Sequence, residues 1–365
     1  MTTPDIFFAL VKAGLWENEV RLSEYGKPDF QGIYELAKEQ AVTGLVAAGL
    51  EHITDIQIDE DVSTPFLRVV MMEEGRNSGI NRFITKLFGY LGDNGVEAVL
   101  IKGQGVARCY ERPLWRTVGD VDLFLDEDNY QKAKAVLIPT AKEVDPEDEA
   151  KKHLGMTLGS YLVELHGAMH TDVSARIDAV VDEVQRDIFE NRGVRYWDNG
   201  GISIPLPSPD NDVIIVFTHF IGHFYVGGIG LRQICDWCRL LWTYKDKINR
   251  DLLGKRLNDM ELMPEWKAFA TFAVEFLGMP AEAMPFYVES AKNNRRAQRI
   301  RTLILHTGNF GHNRDESYRW RHSRLVGNII TFFHRFGEFV RLATVFPSNA
   351  HKFFVSYVKN RFLNN

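Results

Sequence analysis

Cysteine is scarce in this 365-residue chain, which has only Cys109, Cys235 and Cys238. Three thiols cannot build a disulfide framework, so a reducing compartment is expected. Long apolar runs are missing too. No stretch approaches the ~20 residues that cross a bilayer as a helix. The opening MTTPDIFFALVKAGLW lacks a basic region ahead of its apolar part and carries Asp5, unlike a secretory signal. These absences lead to the expectation of a cytoplasmic protein. Positive charge is not in excess: the formal net charge is −6, which gives no sign of a dedicated nucleic-acid binder. Internal repeats and low-complexity segments are absent as well.

What is present is ordinary globular material. The chain is 45% hydrophobic and 25% charged, enough for a core without covalent staples, and its length suggests two or three domains. Residues 1–92 read as helices, because FQGIYELAKEQAVTGLVAAGL and FLRVVMMEEGRNSGINRFITKLFGYLGDNG place apolar residues three and four apart. The turn-forming GDNG at 92–95 closes that region. The period then changes to two. VEAVLIKG, VGDVDLFL and SYLVELHGAM read as strands, NYQKAKAVLIPT and residues 174–190 as helices, and VRYWDNGGISIPLP as a hairpin turning at Asn199-Gly200. From SPDND at 208 the pattern is helical again. The expected architecture is therefore α+β: a helical region (1–92), a small mixed α/β core (93–207) and a C-terminal helical domain (208–365).

Within that core, RTVGDVDLFLDEDNY sets Asp120 and Asp122 two apart in an apolar strand. Residues i and i+2 of a strand share a face, roughly 7 Å apart at ~3.3 Å rise per residue. Two carboxylates there repel and lose hydration unless a cation neutralises them. A hard cation such as Mg²⁺ takes such oxygens and shares them with phosphates. On the SYLVELH strand, Leu162, Glu164 and His166 share one face and Val163 and Leu165 the other, so Glu164 can add a third oxygen. Three such carboxylates can hold two metals ~3.5–4 Å apart, the spacing of in-line nucleotidyl transfer. His166 is read either as orienting phosphate or as bonded to a carboxylate.

Upstream, IKGQG ends a strand just before a helical stretch. Backbone N–H groups at Gly103, Gln104 and Gly105 would meet phosphate there, with Lys102 as a point charge. The turn lacks the GK[ST] ending of a Walker P-loop. Arg112 and Arg116 flank PLW within reach of a triphosphate, and Arg116 would either brace Asp120 or bind phosphate. Two patterns carry less. Cys235 and Cys238 form a CxxC inside the helical LRQICDWCRLLW without a second pair, and read as small buried helix residues. His219 and His223 lack the Glu of HExxH and read as packing near the cleft. Arg232 and Asp236 have the spacing of an i,i+4 pair. DEDNY (126–130) reads as a strand-to-helix connection with capping aspartates.

The stretch LIKGQGVARCYERPLWRTVGDVDLFL resembles the DNA polymerase β-like nucleotidyltransferase superfamily, in which a glycine turn follows the first strand, Asp-x-Asp sits on the next and a third acid on a later one. With VELHGAMH and GGIGLRQICDWCRLL, the set is similar to a narrower bacterial family known by its nucleotidyltransferase motifs, some encoded near surface-polysaccharide genes. The likeness spans roughly residues 30 to 245. It departs in having Gly103-Gln104-Gly105 where Gly-Ser is usual, and Glu164 where the third acid is usually Asp. The resemblance implies a small sheet of the polymerase β-like type and a Mg²⁺ (or Mn²⁺) nucleotidyltransferase. On that reading Asp120, Asp122 and Glu164 are catalytic and metal-binding, while Lys102, Gly103, Gln104, Gly105, Arg116, Gly119 and His166 face the nucleotide. The partners are a nucleoside triphosphate and a hydroxyl acceptor: a sugar, a lipid-linked sugar, RNA or protein. The alternatives are a catalytically inactive fold that binds nucleotides or a partner, and a toxin-like enzyme modifying tRNA or protein.

Residues 292–365 break the overall acidity. Fourteen Lys/Arg stand against three acidic residues, a net of +11 that leaves −17 for the remainder. Aromatics from Trp320 to Tyr357 are interleaved. Such helices can lie on an anionic membrane or grip a polyanion. The plainer expectation, and the favoured one, is that they pack on the acidic remainder of the chain.

Overall fold

The computed structural model describes residues 2–171, 173–226, 228–309 and 336–362, with side chains as far as 355. Four helices lead: α1 (Thr3–Trp16), α2 (Phe30–Glu39), α3 (Thr43–Glu51) and the long α4 (Glu60–Asp93). Helices α1 and α3 touch backbone to backbone, which requires glycine. A Cβ on Gly14 would lie 1.9 Å from the Leu45 carbonyl oxygen, and one on Gly49 2.1 Å from that of Leu10. Along α4 the buried residues Phe66, Val70, Asn77, Ile80, Ile84, Leu87 and Leu91 fall three and four apart and form one stripe.

The α/β part runs β1 (Val99–Ile101), α5 (Gly103–Ala107), β2 (Val121–Phe124), α6 (Glu127–Leu137), β3 (Glu143–Val144), β4 (His153–Leu158), β5 (Tyr161–His166) and α7 (Ala175–Glu190). Five strands form one mixed sheet in the order β1-β2-β5-β4-β3. Strands β1 and β2 are antiparallel, with Ile101 opposite Asp122. Strands β2 and β5 are parallel, with Asp122 opposite Glu164. The α6 start is capped as expected, the Asp126 side chain accepting from the Asn129 N–H at 2.8 Å. Strands β3 and β4 are additions to the sequence reading. The signal for β4 was present: Leu154, Met156 and Leu158 alternate with polar or small residues, and Gly159-Ser160 turns directly into β5. The hairpin β6 (Val194–Asn199) and β7 (Ile202–Pro207) forms a separate two-stranded sheet. Its turn is Gly200-Gly201, both with positive φ, whereas Asn199 pairs with Ile202. This corrects the expected Asn199-Gly200 turn by one residue.

Helices then resume: α8 (Pro209–Val226), α9 (Leu231–Thr243), α10 (Arg250–Asp259), α11 (Met263–Leu277), α12 (Ala291–Thr307) and a last helix, Pro347–Phe362. Among the described residues no helix is long and apolar enough to cross a membrane. The fold is α+β, mostly helical around a small mixed sheet.

Two hydrophobic cores lie on the two faces of the sheet. One packs Val121, Leu123, Val163 and Leu165 against Ile80, Ile84 and Leu87 of α4 and Tyr130 of α6. The other joins α1–α3 to α7–α12 and takes Val99, Ile101 and Phe124 from the sheet. The first and last helical regions therefore share one core. Phe8 meets Phe272 edge-on at 6.1 Å between ring centres, and the Trp16 indole donates to the Leu277 carbonyl at 2.6 Å. At its centre, Trp266 packs against Phe217 and Trp237 with ring centres 4.7 Å away, fixing α8, α9 and α11 together. Fully burying side chains of this size contributes ~1.5–3 kcal/mol each. Cys235 and Cys238 are wholly buried on α9.

The described part of the basic tail turns inward. Ile300, Ile304, Leu342, Val345 and Phe346 join the larger core. Arg301 pairs with Asp5 and Lys352 with Glu261. Phe336, Val340 and Val355 are exposed. Trp320, Phe332 and Phe333 lie outside the described residues.

Candidate functional site

Strand alternation gives the sheet one wholly apolar face and one on which acids stand beside buried apolar residues such as Ile101 and Phe124. On β2 and β5, Val121, Leu123, Val163 and Leu165 point to the α4–α6 side. Asp122, Glu164 and His166 point to the opposite side, and the parallel register sets Asp122 beside Glu164. Asp120 lies two residues before Asp122 and joins them. One oxygen from each of Asp120, Asp122 and Glu164 lies within 4.8 Å of the others.

Lys102 ends β1 and faces this group. Its φ of 54° and ψ of −141° lie in a region that costs a non-glycine residue about 1–3 kcal/mol. In that conformation its ammonium sits 2.7 Å from Asp122 Oδ1. His166 Nε2 contacts the same oxygen at 2.8 Å. Both the lysine and Asp122 are nearly enclosed, so screening by water is weak.

These contacts set the protonation of the group. The neighbouring Asp122 charge, with burial and then Glu164, pushes the Asp120 carboxyl up to about 6. Burial pushes Asp122 the same way, but Lys102 and His166 overcome it and hold its carboxyl below the usual range. Hydrogen bonds from His153, then His166, hold Glu164 well below the usual carboxylate range against its partial burial. Burial opposes the charged form of His166, yet its bonds to Asp122 and Glu164 carry its value upward. One carboxyl of the three is thus destabilised as an anion by the other two, because the charges of crowded acids repel.

The group opens on a cleft of about 430 Å³ lined by Lys102, Gly103, Arg116, Gly119, Asp120, Asp122 and Glu164 on the sheet side. Helices α8 and α9 close it with Val216, His219, Phe220, His223, Arg232, Gln233 and Asp236. The volume falls within the ~300–1,000 Å³ typical of small-molecule sites. Burial, then the Lys102 charge, lowers His219 well below the ordinary histidine value and His223 to about 4, so this wall presents neutral imidazoles at pH 7.

Several expected residues sit elsewhere or act differently. Gln104 is buried, and its amide donates to Asn77 Oδ1 at 2.6 Å; it braces α4. Gly105 lies under Leu206, whose Cδ2 would be 3.1 Å from an added Cβ. Neither lines the cleft. Arg116 neither braces Asp120 nor offers a free fork to phosphate. Its Nε and Nη2 hold Asp236 Oδ1 and Oδ2 at 2.7 and 2.8 Å, and the Tyr110 hydroxyl donates to Oδ1 at 2.8 Å. Asp236 is therefore tied to the 110–116 loop, while Arg232, which feels the Asp236 charge, donates to the Thr117 carbonyl at 3.1 Å. Arg112 lies away from the cleft, bonded to Glu17 and Glu51. His153, unmarked in the sequence because β4 was unmarked, reaches Glu164 Oε2 at 3.2 Å.

A cleft that gathers Asp120, Asp122 and Glu164 with Lys102, Arg116 and Arg232 can bind a divalent cation together with a polyphosphate. Neither the curated proteins nor the solved structures contain a match to this chain. A family model described as uncharacterised nucleotidyltransferase does match, over residues 26–278. That span runs from before α2 to the end of α11 and contains every residue of the cleft. The match covers well over half of the sequence, and the chain belongs to this nucleotidyltransferase family.

Proposed function

We propose that the cleft moves a nucleoside monophosphate from a nucleoside triphosphate to a hydroxyl acceptor, with Mg²⁺ or Mn²⁺ held by Asp120, Asp122 and Glu164 on a sheet of the polymerase β-like type. The observation that carries this reading is the convergence of three carboxylate oxygens within 4.8 Å on the floor of a cleft in a nucleotidyltransferase family member.

The donor set fits a hard divalent ion: three oxygens, one from a carboxyl raised to about 6 by its neighbours' charge and burial, with a single ammonium as internal counter-charge. A divalent ion there would polarise phosphoryl oxygens and balance the charge that builds during transfer. The chain's own residues do the rest. Lys102 brings a fixed positive charge to the cleft floor. His166, donating to Asp122, fixes that carboxylate's orientation. The buried Arg116–Asp236 pair holds the 110–119 loop, and with it Gly119 and Asp120, against α9. Phe220 and Val216 present an apolar wall suited to a base or sugar.

The test is pyrophosphate release from ATP, CTP, GTP and UTP with Mg²⁺ or Mn²⁺, across candidate hydroxyl acceptors. Wild-type protein should release it with at least one nucleotide, and Asp120→Ala, still folded, should not. A second reading has one observation in its favour: Lys102 already neutralises Asp122, as a nucleotide-binding module without turnover would allow. Calorimetric binding of a triphosphate without pyrophosphate release would establish that reading instead.

A further inference from the structure

Two imidazoles reach the acid group from its outer side, and strand register puts them there. His153 of β4 stands directly opposite His166 of β5, while Gly155 stands opposite Glu164. Directly paired residues share a face of the sheet, so both rings and the Glu164 carboxylate emerge together. His153 Nε2 lies 3.2 Å and His166 Nε2 3.5 Å from one atom, Glu164 Oε2. One ligating atom from each of the three falls within 4.8 Å of the others, and the two rings are 4.9 Å apart between centres.

At 3.2 and 3.5 Å these contacts sit at the long, weak end of N–H···O hydrogen bonding, which runs ~2.7–3.2 Å. They match two ligands on one tetrahedral ion: bonds of ~2.0–2.1 Å set at the tetrahedral angle place the ligand atoms roughly 3.3–3.4 Å apart. Two imidazole nitrogens and a carboxylate oxygen suit zinc and its neighbours, whereas magnesium takes oxygen almost exclusively. The geometry points to a transition-metal site at His153, Glu164 and His166, filled by Zn²⁺ and chemically distinct from the all-oxygen group beside it. The two sites share Glu164.

Charge supports a single dication at rest. Asp120, Asp122 and Glu164 against Lys102 leave a formal −2, which one Zn²⁺ cancels. His166 then exchanges its Nε2–H tautomer for the Nδ1–H one, so that the ring stays neutral with Nε2 free to ligate, and gives up its bond to Asp122, which keeps Lys102 as partner. An ion held by the histidines draws Glu164 outward, so Zn²⁺ weakens the binding of a hard ion by Asp120 and Asp122.

The experiment is a Co²⁺ titration of the metal-free full-length protein, followed by visible absorption and then by Zn²⁺ competition. Nucleotide turnover plays no part in the readout, so a protein that transfers no nucleotide is still a fair test. One equivalent of Co²⁺ should produce the intense absorption of a four- or five-coordinate ion, and one equivalent of Zn²⁺ should abolish it. His153→Gln, at a half-exposed position, should weaken Co²⁺ binding by about tenfold or more while leaving Mn²⁺ binding, read by electron paramagnetic resonance, unchanged. Glu164→Gln should weaken both ions, and Asp120→Asn should spare the Co²⁺ absorption. Only the pale spectrum of octahedral Co²⁺ in wild type, or wild-type Co²⁺ affinity in both His153→Gln and Glu164→Gln, would overturn the site.

Discussion

The Lys102 ammonium lies 2.7 Å from Asp122 Oδ1, and the backbone that carries it there has a positive φ. Lysine has no intrinsic reason to adopt that conformation. The contact holds it: the buried Asp122 charge needs a cation, and β1 ends opposite Asp122 in the sheet register. A metal at that oxygen would meet the same lysine as a competitor.

Removing this internal counter-charge should strengthen metal binding and weaken nucleotide binding. Lys102→Met is expected to bind Mn²⁺ about tenfold more tightly, a change of ~1.4 kcal/mol, and to raise the KM for the triphosphate. Mn²⁺ titration by electron paramagnetic resonance and steady-state kinetics would measure the two. Unchanged Mn²⁺ affinity would show that the lysine does not compete.

Asp120 gives a stability signature with a definite sign. Its folded value is raised from 3.8 to about 6, by Asp122's charge first and burial second. Between those values the folded chain holds more protons than the unfolded one, so stability falls as pH rises through the window. Asp120→Asn lacks this penalty. In metal-free buffer it should be the more stable protein at pH ~7, and the gap should close below pH ~4, as urea unfolding would reveal. A gap independent of pH would contradict the raised value.

Arg116 should behave as a structural arginine. It is 8% exposed and makes two bonds to buried Asp236. Breaking such a pair by removing one partner costs about 3–5 kcal/mol. Arg116→Ala should lose stability of that order in denaturant unfolding. An arginine used only for phosphate would leave unfolding unaltered and change KM alone.

Metal should stabilise the fold through the same three acids. At a concentration ~100 times its Kd, Mn²⁺ should add about 2.7 kcal/mol, seen as a rise in Tm that a chelator reverses. Asp122→Asn should abolish most of that rise. An equal rise in the variant would place the ion elsewhere.

What the sequence by itself determined is what repeats over a few residues. The three- and four-residue spacing marked the helices, and the two-residue spacing marked β2 and β5 and set Glu164 and His166 on one face. Asp126 as a helix cap, and the shared faces of Asp120 with Asp122 and of Glu164 with His166, follow from local pattern, because strand alternation and capping are decided within a turn or two. The tertiary structure alone decided the pairings. Asp236 follows Arg116 by 120 residues, and nothing local says that it would claim the guanidinium. Gln104 reads as a phosphate-facing turn until α4 brings Asn77 to its amide. His153 comes within reach of Glu164 only because β4 pairs with β5 in a register that puts it across from His166. The first and last helices share a core because their apolar faces meet across the whole chain, and burial between distant segments leaves no short-range mark.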